Sequence, residues 1–335
     1  MRSKKVQFTL AYYVGKQWFR KEFMELMPPH TIYVSAYGGG GSLLLSKEPS
    51  PLEVYNDLDE GMVNLFRVLR DPIKCLELKR RLELTPYSRT EWDRCRRNWK
   101  NCADDIEKAR MVFVDLRQGR NGLRNSNWGR DGRKRDGRLS QNVRKYISCV
   151  DRILPEICER LKYVVFENKN ALEVLIDHDS SETFGDVDPP YVSSTRGAGK
   201  YPHEMTDADH LELVNLLLNL KGMYILFGRP NAIYQPLEAM GWLRKDYNRR
   251  QFAIHIPKSE KNGFPNQRDV RIESAWLSPN LLEVLGKAPP KVGKILDSPT
   301  ISLLPSSSNI LITPHYQPQE ILRTNQFQWT IRLAA

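Results

Sequence analysis

Near the start of the chain, short apolar runs alternate with turn residues and amphipathic stretches. The β-branched and aromatic run at 31–37 (TIYVSAY) predicts a strand that ends in four glycines, and 52–55 (LEVY) predicts a second strand. Residues 57–70 place apolar side chains at helical spacing and predict an amphipathic helix. Strand, glycine loop, strand, acidic tip and helix in this order are typical of a nucleotide-binding α/β sheet.

The same alternation returns after residue 162. The predicted strands are 163–166, 183–187 and 223–227, the predicted helices are 171–178 and 207–220, and 251–256 and 270–276 are expected to form an antiparallel pair. Because the stretch between the two parts breaks the pattern, we expect one Rossmann-like α/β domain (1–71 plus 163–289) split by a mostly helical insert at 72–162. The Pro/Ser-rich tail, 290–335, has no predicted role.

The predicted insert differs from the rest of the chain in its charge. It holds 24 basic and 13 acidic residues, which accounts for the whole net charge of +11, since the remainder has 27 of each. Stretches 91–110 and 140–161 are predicted helical, and the glycine-rich stretch 119–137 is predicted to be a mobile loop because it can bury little apolar surface. Localised positive charge is expected where a protein contacts a phosphate backbone, although a solvated charged surface is the alternative.

Composition argues against several other classes of protein. No apolar run is long enough to span a membrane, and no small-residue cleavage site follows the weakly apolar stretch 6–14, so we expect a cytoplasmic protein. The five cysteines form no CxxC pair, and the six histidines lack the spacing of metal ligands. We therefore expect neither a disulfide framework nor a metal site.

The motif with the most specific chemistry is Asp188-Pro189-Pro190-Tyr191, which follows a predicted strand. Two prolines hold the backbone extended and remove two N–H donors, which leaves the Asp188 carboxylate and the Pro189 carbonyl as fixed acceptors. Two acceptors can bind both hydrogens of an aromatic amine and leave its lone pair directed at an incoming methyl group. Tyr191 offers a face on which an extruded base can stack. An ordinary Pro-Pro turn with a solvent-facing aspartate is the alternative.

Three further stretches are candidates for cofactor binding. The glycine loop Tyr37 to Ser42 (YGGGGS) can bring backbone amides close to a ligand, and no Lys-Ser/Thr follows it, which disfavours an ATP phosphate loop. Asp57, at the end of the second strand, can accept hydrogen bonds from ribose hydroxyls, cap the following helix, or both. Tyr12 and Lys16 (YYVGK) could close over a cofactor and its carboxylate, or form a surface strand end.

Taken together, these residues resemble the adenine-specific DNA methyltransferases that include the bacterial Dam enzymes, and especially their phage-like relatives. The order of motifs also fits, with the cofactor motifs first, the basic segment next and the DPPY motif after it. The resemblance covers most of residues 10–285 and rests on YYVGK (12–16), YVSAYGGGGSLLLSKEPSPLEVYNDLD (33–59), RLKYVVFENKNALEVL (160–175), DVDPPYVSSTR (186–196), YPHEMTDADHLELVNLLLNLKG (201–222) and AWLSPN (275–280).

The resemblance implies a role for each motif. The S-adenosylmethionine site would be lined by Tyr12, Lys16, Tyr37, Gly38, Gly39, Gly40, Asp57 and Asp188. A flipped adenine would be held by Asp188, Pro189, Pro190 and Tyr191. The basic segment would recognise duplex DNA, with Arg124, Asn125, Ser126 and Asn127 as candidate base readers and Arg130, Arg133, Lys134 and Arg135 as candidate phosphate contacts. The expected reaction is a direct displacement that places the methyl group on the exocyclic amine of adenine.

One stretch departs from the family pattern. The family has Glu-Pro-Phe before its glycines, where this chain has Ser35-Ala36-Tyr37. The difference removes a carboxylate and a proline beside the expected cofactor. It favours an alternative, a DNA-binding protein that keeps the scaffold with weak or no catalysis. A transferase acting on RNA or on free amines is a third possibility, because aromatic-amine chemistry is shared.

Overall fold

The described part of the chain is built on a seven-stranded sheet. This computed structural model describes residues 16–120, 127–130, 140–196, 201–250 and 270–287, all of which lie in the first of two compact units, Met1–Val292 and Gly293–Ala335. The strands are β1 (Ile32–Ser35), β2 (Leu52–Asn56), β3 (Val164–Glu167), β4 (Thr183–Val187), β5 (Met223–Gly228), β6 (Leu243–Arg250) and β7 (Val270–Leu277).

Helices connect most of these strands. They are α1 (Arg20–Leu26), α2 (Glu60–Arg70), α3 (Pro72–Glu83), α4 (Arg89–Asn98), α5 (Asp105–Gln118), α6 (Gln141–Ser148), α7 (Leu154–Leu161), α8 (Ala171–Asp177), α9 (Asp207–Leu217), α10 (Gln235–Ala239) and α11 (Pro279–Val284). A π-helical turn, Cys149–Ile153, joins α6 to α7. Among the described residues, no helix has the length and apolar character needed to cross a membrane.

The strand order is β3-β2-β1-β4-β5-β7-β6. β1 to β5 are mutually parallel, and β7 runs antiparallel between β5 and β6. The chain reverses its winding direction between β1 and β4, and the crevice at the carboxyl ends of such strands is where open α/β sheets bind ligands. The expectation of a mixed α/β sheet compatible with a Rossmann-like fold is confirmed.

Two elements differ from the sequence-based expectation. The edge strand that pairs with β7 is β6, whose sequence LRKDYNRR has too few apolar residues to predict a strand. Residues 251–256, which were expected to pair with β7, lie outside the described residues. The predicted helix 91–110 is two helices, because α4 ends at Asn98 and Asp104 starts α5 by accepting a hydrogen bond from the Glu107 amide.

The helices of the basic segment share a hydrophobic core with the sheet's own helix. Phe66 of α2, Phe113 of α5 and Ile157 of α7 are fully buried in one cluster, which also contains Tyr33 of β1. Burying such side chains stabilises the packed state by about 1.5–3 kcal/mol each. Helices α5 and α7 therefore lie against the sheet and its helix α2, and the predicted domain boundaries at 72 and 162 stay a prediction.

Candidate cofactor and amine site

A cleft lies at the carboxyl ends of β2, β1 and β4. It has a volume of about 940 Å³ including its open mouth. Its lining combines the strand ends, the glycine loop and one later loop: Lys16, Ser35, Ala36, Tyr37, Gly38, Gly39, Gly40, Ser42, Leu43, Asn56, Asp57, Leu58, Ala171, Asp186, Asp188, Pro190 and 201–205. All but two of the predicted cofactor and catalytic residues that the structure describes therefore line one cleft.

The glycine loop is held tightly against the end of β2. The Gly38 amide donates to the Asn56 carbonyl at 2.7 Å, and the Tyr55 hydroxyl donates to the Gly39 carbonyl at 2.6 Å. A Cβ atom at Gly38 would lie 2.1 Å from the Tyr55 ring, and Gly39 has a φ of 49°, which favours glycine. The loop backbone is consequently fixed as one wall of the cleft.

Asp57 connects the glycine loop to the start of α2. Its Oδ2 accepts from the Gly39 amide and its Oδ1 from the Asp59 amide, each at 2.7 Å. Burial raises the pKa of Asp57 to about 6, although the two amide hydrogen bonds oppose the shift. The N-cap of α2 is Asp59, which accepts from the Gly61 and Met62 amides. Asp57 is therefore a cleft residue and does not cap the helix.

Asp188 is held by an ion pair with Lys16. The Lys16 Nζ lies 2.6 Å from the Asp188 Oδ1 and donates to the Tyr191 hydroxyl at 2.9 Å, and Lys16 is only 3% exposed. Burial raises the pKa of Asp188, and the ammonium of Lys16 opposes that shift. The second oxygen, Oδ2, makes no hydrogen bond to any described residue. This geometry leaves one acceptor of Asp188 available at the cleft.

Tyr191 is placed differently from its predicted stacking role. It is buried behind the cleft, where its hydroxyl donates to Glu273 Oε2 at 2.5 Å. The Lys16 ammonium lies 4.9 Å and the Arg229 guanidinium 5.5 Å from its ring centroid. Pro189 is also buried outside the cleft lining, whereas Pro190 lines it. In this conformation, Tyr191 positions Lys16 and presents no ring face to a ligand.

Three charged residues at the site, of which Asp186 and Glu273 are buried, were not predicted from the motifs. Glu273 on β7 and Arg229 after β5 form an ion pair at 3.5 Å behind Tyr191. Asp186 lines the cleft and stands two residues before Asp188, and the period of a strand places both on one face. That spacing was a usable signal for Asp186, whereas Glu273 and Arg229 come together only through the order of the strands.

The predicted DNA-binding residues fall partly within the described chain. Asn127 and Arg130 line a second cleft whose other members are Tyr87, Arg117, Gly119, Arg120, Trp128, Gly129 and Asn142. The Arg89 guanidinium lies 5.2 Å from the Trp128 ring. The remaining candidates Arg124, Asn125, Ser126, Arg133, Lys134 and Arg135 lie outside the described residues, as does Tyr12.

Within the residues that the structure describes, no group of three or more histidine, cysteine, aspartate or glutamate side chains could hold a metal ion. Comparison of the sequence with protein-family models finds no match, and comparison with curated proteins finds none with significant similarity.

Proposed function

We propose that the protein is a site-specific DNA adenine methyltransferase of the Dam-like type, dependent on S-adenosylmethionine. One observation carries the proposal: the Lys16-bound carboxylate of Asp188 opens into the same cleft as the glycine loop and Asp57. A nucleoside cofactor and an aromatic amine would thus meet at the carboxyl edge of the sheet. The mixed α/β strand order supports this assignment at the level of fold.

The cleft residues fit the parts of such a cofactor. Asp57 can accept hydrogen bonds from ribose hydroxyls, and the apolar side chains of Leu58 and Ala171 lie beside it to contact the nucleobase. The backbone of the glycine loop approaches the ligand without an intervening side chain. When bound, S-adenosylmethionine supplies an electrophilic methyl carbon.

Asp188 would act on the amine by accepting one of its hydrogens. Lys16 fixes the carboxylate through Oδ1, so that Oδ2 is directed to the amine without the cost of ordering it during the reaction. Tyr191 and Glu273 in turn fix Lys16. Asp188 need not remove a proton before the displacement, because the methylated amine is acidic enough to lose its proton to water. The contribution of the protein is thus orientation and stabilisation of developing positive charge.

The second cleft is proposed to contact the DNA backbone. Replacing Arg117, Arg120 or Arg130 with alanine should weaken duplex binding and lower the slope of log affinity against log salt by about 0.9 for each phosphate that is no longer neutralised. Fluorescence anisotropy across a salt series measures both quantities. Lys21→Ala is the matched control, because Lys21 is an exposed cation outside the basic segment. Equal slopes in all four variants would contradict a DNA-contacting role for this cleft.

The identity of the methyl acceptor distinguishes the proposed function from its alternatives. Protein is incubated with tritiated S-adenosylmethionine and with unmethylated duplex DNA, single-stranded DNA, RNA or a small aromatic amine. We expect incorporation chiefly into duplex DNA. Preferential labelling of RNA or of the amine would assign the transferase another substrate. Tight DNA binding with no labelling of any acceptor would favour the alternative of a catalytically inactive DNA-binding protein.

A further inference from the structure

Asp186 is a buried carboxyl group that forms no ion pair with any residue the structure describes. The neighbouring carboxylates are balanced, since Asp188 pairs with Lys16, and Glu53 pairs with Lys47 and Arg160. Asp186 is 4% exposed and receives only hydroxyl donors, from Tyr33 and from Ser35 at 3.1 Å. Within the described ranges, no basic side chain forms an ion pair with it. Two acceptor positions on its oxygens remain unused.

A buried carboxylate without an ion-pair partner is stabilised either by binding a proton or by pairing with the cationic group of a bound ligand. The charged and titratable groups that face it are Tyr33 on β1, Asp188 just beyond the end of β4, and the ammonium groups of Lys16 and Lys47. Burial raises the pKa of Asp186 to about 7, and the hydrogen bonds from Tyr33 and Ser35 oppose the shift. The group is consequently poised to ionise when a cationic ligand enters the cleft.

The position of Asp186 indicates which cation that is. Asp57 follows β2 and Asp186 stands on β4, with β1 between them, so they are about 10 Å apart at the usual strand spacing. A nucleoside whose ribose contacts Asp57 would extend its 5′ substituent across the glycine loop towards Asp186. In S-adenosylmethionine that substituent carries an α-ammonium group.

We infer that Asp186 binds the α-ammonium of the methionine moiety, an inference that rests on the proposed function. The register of the sheet pairs Asp186 with Ser35, the position at which the family pattern has glutamate. The carboxylate missing from β1 is thereby supplied by the adjacent strand. Serine in place of the family's glutamate at position 35 then means that the carboxylate is moved within the cleft and is not lost.

The test compares two ligands by isothermal titration calorimetry. S-Adenosylhomocysteine carries the amino-acid moiety, whereas 5′-methylthioadenosine keeps the nucleoside and the sulfur but lacks that moiety. Asp186→Asn should weaken S-adenosylhomocysteine binding by about 10- to 100-fold and change 5′-methylthioadenosine binding less than about twofold. An equal loss for both ligands, or no loss for either, would overturn the inference. If the wild type binds neither ligand, the proposed function itself fails.

A second variant tests whether Asp186→Asn acts only by disturbing the structure. Exchanging the paired residues, as Ser35→Asp with Asp186→Ser, moves the carboxyl group from β4 to β1 within the same hydrogen-bonded pair. We expect this double variant to recover most of the lost S-adenosylhomocysteine affinity. A double variant as weak as Asp186→Asn would contradict a role for the carboxyl group as the ammonium acceptor.

The pH dependence provides a third readout. Asp186 must be ionised to bind an ammonium, so wild-type affinity for S-adenosylhomocysteine should rise from about pH 6 to about pH 8. Asp57 titrates nearby and affects both ligands through the ribose, so the difference between the two ligands isolates Asp186. A pH-dependent difference that persists in Asp186→Asn would contradict the inference.

Discussion

Replacing Asp188 with alanine should reduce methyl transfer to duplex DNA by about 10³-fold under single-turnover conditions with saturating cofactor. The substitution removes the oriented acceptor that faces the cleft and leaves the buried Lys16 ammonium without its carboxylate. DNA affinity should change little, because the proposed DNA contacts lie in the basic segment. The expected outcome is a protein that binds its substrate but does not modify it.

The matched control for this variant is Asp177→Ala at the end of α8. Asp177 is a largely exposed aspartate whose nearest cation, Lys169, lies 3.7 Å away, and it does not line the cleft. It should transfer methyl groups at the wild-type rate. An Asp188→Ala protein that is folded and retains more than about a tenth of the wild-type rate would rule out the proposed role of Asp188.

The largest effect on stability is expected at Arg160. Its guanidinium binds Glu53 at 2.5 and 2.8 Å and donates to the Leu44 carbonyl at 2.9 Å, and the Lys47 ammonium lies 2.5 Å from the same carboxylate. The three charged side chains are at most 6% exposed. Arg160→Met removes the charge-assisted hydrogen bonds to Glu53 and leaves Lys47 as its remaining ion-pair partner among the described residues, so we expect a loss of about 1.5–3 kcal/mol. Urea unfolding measures the loss.

Lys162→Met serves as the control for Arg160→Met. Lys162 lies two residues further along and pairs with Glu159 at the surface, so its loss should cost under about 1 kcal/mol. Similar losses in the two variants would contradict a stabilising role for the buried ion pair of Arg160 with Glu53.

Arg160 also falls inside the predicted insert at 72–162, whereas its partner Glu53 stands on β2. Deleting that stretch as a unit should therefore destabilise the sheet domain.

The sequence predicted the parts of the fold whose signals are local. The strand 183–187 that leads into the DPPY motif has the predicted bounds, and the glycine loop and Asp57 line one cleft at the carboxyl end of the sheet. Apolar runs flanked by glycine, proline or aspartate give strong local signals of this kind. β6 was not predicted, since its charged residues become a strand only through pairing with β7.

Contacts between distant parts of the chain likewise limited the prediction of the site from sequence. The resemblance implied that Asp188 and Lys16 line one cofactor site, but a stacking role for Tyr191 assumed an exposed ring. Lys16 and Glu273 bind its hydroxyl from elements far away in the chain, and these contacts hold it behind the cleft. The partners of a buried polar group depend on strand order, which no local pattern contains. Asp186 could have been predicted more easily, because its two-residue spacing from Asp188 is that of two side chains on one face of a strand.

The cleft is proposed to direct a methyl group to the exocyclic amine of adenine. The most direct test is to incubate the protein with S-adenosylmethionine and unmethylated duplex DNA, digest the DNA to nucleosides and identify the methylated product by mass spectrometry. We expect N6-methyldeoxyadenosine with the wild type and none with Asp188→Ala. Methylation at another base, or the same yield from both proteins, would contradict it.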